Sequence, residues 1–355
     1  MRPTVMEVNL SDFKYNINSI KKYINSDVLL MPVIKANGYG TYLNLSTILD
    51  EFKIVCVALV DEGILLREKG YTGDILVINQ PDISEIDEIF KYKLIIGLSD
   101  EEFLEDMVKF DDKFRVHIEV DTGMGRTGIR DLSLVNKLKN CPNIIVEGIY
   151  SHLSSADNDV EFTDNQIKLF NEYVEKIKDI FPDIKYIHLA ASNGIINYPT
   201  SYFNAVRVGI IMYGYESFSG CLEKLDLKPI CKLKSKITFL KEVDEGTPIS
   251  YNHDFITKKN SRIATIPIGY ADGLRRALSN RGHVVINGNL CPIVGKVCMD
   301  SIMVDVSDIE CKLGDEVYIW DNDLIKVEDI AKECNTINYE IISTISSRVP
   351  RVFIR

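Results

Sequence analysis

From residue 10 to about residue 215, short apolar, β-rich runs alternate with stretches of helical period. Eight runs read as strands: "LLMPVI", "IVCVALV", "ILVINQ", "KLIIGL", "FRVHIEV", "IIVEGIY", "YIHL" and "AVRVGIIMYG". Their apolar residues fall at successive rather than alternate positions. Both faces are therefore buried, as in a parallel sheet covered by helices. The first run is followed by a segment carrying Leu43, Leu45 and Ile48. "DEGILLREKG" reads as a helix ending on a glycine stop. "SDEEFLEDMVKF" places Ser99 and Glu102 at capping-box spacing. "DNQIKLFNEYVEKIKDIF" is a long amphipathic helix. Eight such units predict a (β/α)8, TIM-like barrel. The open doubly wound alternative lacks its G-x-G-x-x-G turn.

Past about residue 230 the rhythm changes. "KLKSKITFLKEV", "SRIATIPIGY", "GHVVINGNLCPIVGKVCMDSIMVDV" and "GDEVYIWD" are strand-rich and punctuated by turns, with one short helix at "VEDIAKEC". The expected organisation is an α/β barrel over residues 1–228 followed by a mainly β C-terminal domain over residues 229–355.

Composition narrows the function. The 355 residues carry a net charge of −11, which disfavours nucleic acid because phosphate neutralisation needs clustered Lys and Arg. No apolar run approaches the ~20 residues of a membrane span, and "MRPTVMEVNL" has no signal-peptide core. The eight cysteines include no C-x-x-C pair, so neither a disulfide scaffold nor a metal site is expected. A cytoplasmic protein acting on a small molecule fits these limits.

Lys35 follows the first strand, where a barrel builds its active site. An amine held among apolar groups loses its proton more easily and can form a Schiff base with an aldehyde. One lysine at a barrel rim is more often a snorkelling side chain. Here His152, His188 and Arg207 also follow or lie in strands, and "SNG" at Ser192 with "VGI" at Gly209 offers backbone N–H groups to a phosphate.

These residues carry a resemblance along nearly the whole chain. "VIKANGYG", "VDTGMGRTGIR" and "RVGIIMYG" resemble barrel motifs of the alanine racemase family, and "PISYNHDF", "IPIGYADGLRR", "IVGKVCMD" and "TISSRVPR" resemble motifs of its C-terminal domain. The resemblance implies a pyridoxal 5'-phosphate enzyme that interconverts L- and D-alanine for peptidoglycan. Lys35 would hold the cofactor, Tyr39, Ser192, Gly209 and Ile210 its phosphate, His152 its ring and Arg207 the pyridine nitrogen. Arg126 would reach the cofactor and the substrate carboxylate. Inversion at the α-carbon needs a second base, which the resemblance places at Tyr251, supplied by the partner in a homodimer with shared sites. A His188–Arg207 pair would supply positive potential favouring its phenolate. Met299, Asp300 and Tyr270 would meet the substrate.

The chain departs from the pattern in places. Glu119 stands where many family members carry a carbamylated lysine that braces the arginine. Ser347 replaces a tyrosine that narrows the pocket, so a serine or broader-specificity racemase is the nearest alternative. A decarboxylase of the same architecture and a non-enzymatic carrier of the cofactor are more distant ones.

Overall fold

The computed structural model describes residues 2–24, 27–43, 47–221 and 224–355. Eight parallel strands surround one axis: β2 (Leu29–Pro32), β3 (Ile54–Val57), β4 (Asp74–Val77), β5 (Ile95–Leu98), β6 (Phe114–Glu119), β7 (Ile144–Tyr150), β8 (Tyr186–His188) and β9 (Ala205–Val208). They pair in the order β2-β9-β8-β7-β6-β5-β4-β3. Between β2 and β3 the ladder shrinks to the bridge Val33–Cys56, with Ile34 N donating to Cys56 O at 2.9 Å. The barrel is nearly closed. β3, β5 and β9 are buried at every position, which accounts for their unbroken apolar runs.

Helices wrap the outside. The helix Val160–Lys178 buries Ile167, Phe170, Val174 and Ile177 on one stripe. Its cap is Asp159, whose carboxylate accepts from Phe162 N at 3.0 Å. The helix Glu101–Met107 is capped by Asp100 rather than by Ser99. Ser99 N instead donates to Gln80 at 3.1 Å, tying β5 to the loop beyond β4. Between β2 and β3 the chain forms a short 3-10 turn, Thr47–Glu51, that buries Ile48; Leu45 lies outside the described residues.

The C-terminal part is mainly β. Its strands are β10 (Cys231–Lys236), β11 (Phe239–Val243), β12 (Pro248–Ile249), β13 (Phe255–Ile256), β14 (Ser261–Ile266), β15 (His283–Ile286), β16 (Asn289–Pro292), β17 (Ile302–Asp305), β18 (Glu316–Trp320) and β19 (Arg351–Ile354). The expected boundary at residue 1 needs correcting, because β1 (Val5–Asn9) is a strand of this region's sheet and not of the barrel. The six-stranded sheet runs β16-β15-β18-β10-β1-β19. β1 pairs antiparallel with β10 and parallel with β19. It alternates, burying Met6 and Val8 opposite Leu233 and Cys231, and so presents one apolar face to one core. Arg2 just before it donates to both oxygens of the fully buried Asp272, at 2.6 and 2.5 Å.

A second helix, Asn338–Ser343, joins the expected Val327–Glu333. It packs over the barrel mouth so closely that a Cβ on Gly40 would meet Ile342 O at 2.2 Å. Arg351 Nε donates to Gly40 O at 2.9 Å from the same side. The C-terminal region thus clamps the loop that follows β2. No described helix is long and apolar enough to cross a membrane.

Candidate functional site

At the C-terminal ends of the barrel strands lies a cavity of about 210 Å3 whose wall includes Lys35, Tyr39, Arg126, His152, Ser192 and Arg207. Lys35 leaves β2 on a strained path. Ala36, Asn37, Gly38 and Tyr39 have φ of 52°, 54°, 63° and 55°, a short left-handed helix containing three non-glycine residues. Each such residue costs roughly 1–2 kcal/mol, so the surroundings must hold it. Glu62 does much of this: Oε1 accepts from Ala36 N at 2.5 Å and Oε2 from Ala58 N at 2.8 Å. Gly38 N donates to Ile34 O and Gly40 N to Ala36 O, both at 2.8 Å. The strain sits directly after the lysine. Burial lowers the Lys35 pKa, with Arg126 and then Arg207 adding to the shift and Glu62 opposing it.

Arg207, on β9, is 4% exposed and tied down by five hydrogen bonds. Nη1 reaches His188 Nδ1 at 2.6 Å and His188 O at 3.0 Å; Nη2 reaches Ser151 O at 2.6 Å, His152 Nδ1 at 3.2 Å and Leu189 O at 3.2 Å. None of these bonds uses Nε, the donor left for the cavity. His152 is pushed down to about 3 by burial, with Arg207, Arg126 and Lys35 adding to the shift. It is neutral at ordinary pH. His188 is buried behind Arg207, and burial followed by the Arg207 charge drives its pKa well below the imidazole range. The expected positive pair therefore becomes one cation beside a neutral ring.

Gly209 and Ile210 form the next part of the wall. A Cβ on Gly209 would stand 2.7 Å from Tyr39 Oη and 3.6 Å from Ser192 Oγ. Two hydroxyls thus converge over a glycine whose missing side chain leaves a small polar cradle. Asn193, beside them, has a buried Oδ1 without a hydrogen-bond partner among the described residues. Hydroxyl donors, an amine and a fixed guanidinium in one cavity fit an aldehyde cofactor bearing a phosphate and a ring nitrogen.

Glu119 does not pair with Arg126. It is 4% exposed at the end of β6, and its Oε2 has no hydrogen-bond partner among the described residues. Arg126 is exposed on the following loop, which Asp121 shapes by accepting from Gly123 N at 2.9 Å and Gly125 N at 3.0 Å. Burial raises the Glu119 pKa, with hydrogen bonds to Thr127 and Tyr150 and then the Arg126 charge opposing the shift.

Tyr251, Met299 and Asp300 lie elsewhere, around an open hollow on the C-terminal region. Tyr251 is 66% exposed and Met299 52%. Ser250, Asn252 and His253 take φ of 69°, 64° and 55°, so a strained turn thrusts the phenol outward. Ser250 Oγ holds the turn by donating to Lys296 O at 2.9 Å. Asp300 accepts from Arg348 Nη2 at 2.6 Å. Tyr270 lines neither hollow, but its N donates to Cys298 O at 3.0 Å and so braces the Met299 loop. Within one chain, then, the lysine and the phenol occupy separate cavities.

Sequence reasoning missed Tyr150 and Tyr339 in the cavity wall. Tyr150 ends β7, the position that drew attention to His188 on β8, and that signal applied equally to it. Its ring stacks on His188 at 5.1 Å, and its hydroxyl donates to Ile78 O at 2.8 Å. Tyr339 belongs to the helix that went unexpected, and its ring lies 6.1 Å from Tyr39.

Comparison with known proteins gives a consistent result. Residues 8–217 match the family model "Alanine racemase, N-terminal domain", and residues 230–353 match "Alanine racemase, C-terminal domain". The chain is 38% identical over 372 residues to the alanine racemase of Halothermothrix orenii, covering 99% of this chain and 97% of that one. It is 39% identical over 373 residues to that of Clostridium tetani, covering 100% and 96%. Among solved structures, the alanine racemase of Bacillus anthracis with bound L-Ala-P superposes with a TM-score of 0.94 at 36% identity, covering 100% of this chain and 96% of that one. The alanine racemase of Clostridium difficile 630 gives 0.94 at 33%, covering 100% and 96%.

Proposed function

The chain belongs to the alanine racemase family, and from that premise we propose that it interconverts L- and D-alanine with pyridoxal 5'-phosphate held on Lys35, the α-proton being exchanged by Lys35 on one face and by Tyr251 of the partner subunit on the other. One observation carries this reading: a desolvated lysine, two hydroxyls over a bare glycine and an arginine fixed through both Nη atoms share one cavity.

When bound, pyridoxal phosphate draws electron density from the substrate's α-carbon and so makes its hydrogen acidic. This chain's own groups do the rest. Tyr39, Ser192 and the backbone at Gly209 and Ile210 would grip the phosphate. Arg207 would present Nε–H to the ring nitrogen; a guanidinium does not give up its proton, so that contact remains a hydrogen bond and never becomes a proton transfer. Arg126 supplies positive charge for the substrate carboxylate. Lys35 Nζ, with its lowered pKa, takes or returns a proton at the α-carbon.

Inversion needs a second group on the opposite face, and the Tyr251 hydroxyl is the one proposed. The hollow around it exposes Phe239 at 55% and Met299 at 52%, an apolar surface that a second copy of the chain would cover. D-Alanine made in the cytoplasm would feed peptidoglycan assembly. The direct test is incubation with L-alanine in deuterated water followed by chiral analysis. Loss of optical activity with α-deuterium in both enantiomers supports the reading, and unchanged L-alanine contradicts it.

Two further outcomes follow from the cavity. Gly209→Ala drives a methyl toward Tyr39 Oη, and the affinity for pyridoxal phosphate falls tenfold or more, about 1.4 kcal/mol, in an equilibrium titration. Cofactor capture needs the neutral amine, so its rate rises with pH and levels off above the Lys35 pKa. Because that pKa is lowered, the midpoint of the rise lies below the ordinary lysine range. Arg126→Met removes one of the lowering charges and moves the midpoint to higher pH, as read by rapid-mixing absorbance.

A further inference from the structure

His117 is fully buried on β6, does not line the cavity, and has no part in the chemistry described above. The barrel makes room for it at a cost. β6 and β7 slip by one residue between Val116 and His117, so that His117 faces Gly148. A Cβ on Gly148 would stand 2.6 Å from the His117 ring. On the other side its register partner is Gly97, where a Cβ would meet Tyr150 Oη at 2.1 Å. Glycine weakens a strand interior, yet two strands carry one here, each opening space for a polar side chain.

The bonds made by His117 form a directed line. Arginine only donates, so His188 Nδ1, 2.6 Å from Arg207 Nη1, must be bare. Neutral His188 then carries its proton on Nε2, which lies 2.9 Å from His117 Nδ1. His117 Nδ1 must accept, which leaves the His117 proton on Nε2. That nitrogen is buried and has no hydrogen-bond partner among the described residues. The line therefore ends in an unmet donor, a cost that an apolar residue at 117 would avoid.

We propose that His117 is a positioning residue which, by accepting the His188 Nε2 proton, locks His188 in the tautomer whose bare Nδ1 holds Arg207 in place against the cofactor. The groups around the two rings keep both neutral. Arg207 stands at one end, Arg115 at the other within its pairs to Asp74 and Glu147, and the rings of Tyr150 and Tyr186 lie on the flanks. Burial pushes His117 down to about 3, with Arg115 and Arg207 contributing and Asp74 opposing. Were His117 to carry a proton on Nδ1, two N–H groups would face each other, and His188 would have to turn its own proton toward Arg207.

The inference rests on the reading of Arg207 as the ring-nitrogen partner, and its test separates the two. In holoenzyme labelled with 15N-histidine, two-bond proton–nitrogen spectra report each tautomer. The expected result is that His117 and His188 are both neutral with the proton on Nε2. A cationic ring or an Nδ1 proton at either position overturns the proposal without any variant having to fold. His117→Leu removes the acceptor and His117→Asn replaces Nδ1 by an oxygen. The leucine variant, checked as folded by thermal melting, should show mixed His188 tautomers and a kcat lower by about tenfold or more with little change in KM. The asparagine variant should recover most of both. Equal losses in the two variants, or a leucine variant with unchanged His188 tautomers, contradict the lock. Absence of racemisation in the unaltered enzyme is the separate failure, that of the site reading.

Discussion

Lys35→Ala reduces racemisation by at least about a thousandfold and abolishes the visible absorbance of pyridoxal phosphate bound to the protein. The size of the effect follows from the two roles proposed for one amine, holding the cofactor and moving the α-proton. Lys35 is the one lysine in the cavity wall among the described residues, so no other amine stands ready to replace it. The fold should survive. The strained turn after Lys35 is held by Glu62 and by backbone bonds, none of which involves the Lys35 side chain. Thermal melting close to that of the unaltered protein, with the absorbance band lost, separates a chemical defect from a folding one. A variant that keeps the band or more than a tenth of the rate would remove Lys35 from both roles.

The second large effect is that of Tyr251→Phe. The ring still fills its place on the exposed turn and only the hydroxyl is lost, so the cofactor band stays. Racemisation falls by about a hundredfold or more, the contribution of a positioned acid–base group. The loss is one-sided at the level of isotope exchange. With Lys35 intact, one enantiomer continues to exchange its α-hydrogen with deuterated solvent without inverting, and the other ceases to exchange. Equal loss of exchange from both enantiomers would place the Tyr251 hydroxyl outside the proton path.

Much of the fold was legible because it is local. Each barrel strand is a short apolar run, and every one of the eight appears where the pattern puts it. Lys35, His152 and Arg207 were legible for a related reason: charged or polar residues at the ends of buried strands need a purpose. β1 was not, since its partners β10 and β19 are more than two hundred residues away and its alternating pattern is short. Ser99 offered the right spacing for a cap, but Asp100 is one residue closer to the helix and its carboxylate accepts from Glu102 N and Phe103 N. The left-handed turn after Lys35 was hidden because alanine and tyrosine, unlike asparagine, adopt that conformation only when tertiary contacts impose it. The neutrality of His188 and the directed line through His117 depend on burial and on hydrogen-bond direction, neither of which is written in residue type. Tyr251 lines a different hollow from Lys35 within one chain, and only the family resemblance pointed to a partner.

The central claim is that one site takes its lysine from one subunit and its tyrosine from the other. Mixing Lys35→Ala with Tyr251→Phe protein after subunit exchange tests it most directly. Random pairing makes half of the dimers mixed, and each mixed dimer carries one site with both groups intact, so about a quarter of the full activity should return. If exchange is demonstrated by mass and the mixture stays as inactive as either variant alone, the lysine and the tyrosine do not share a site and the two-sided account fails.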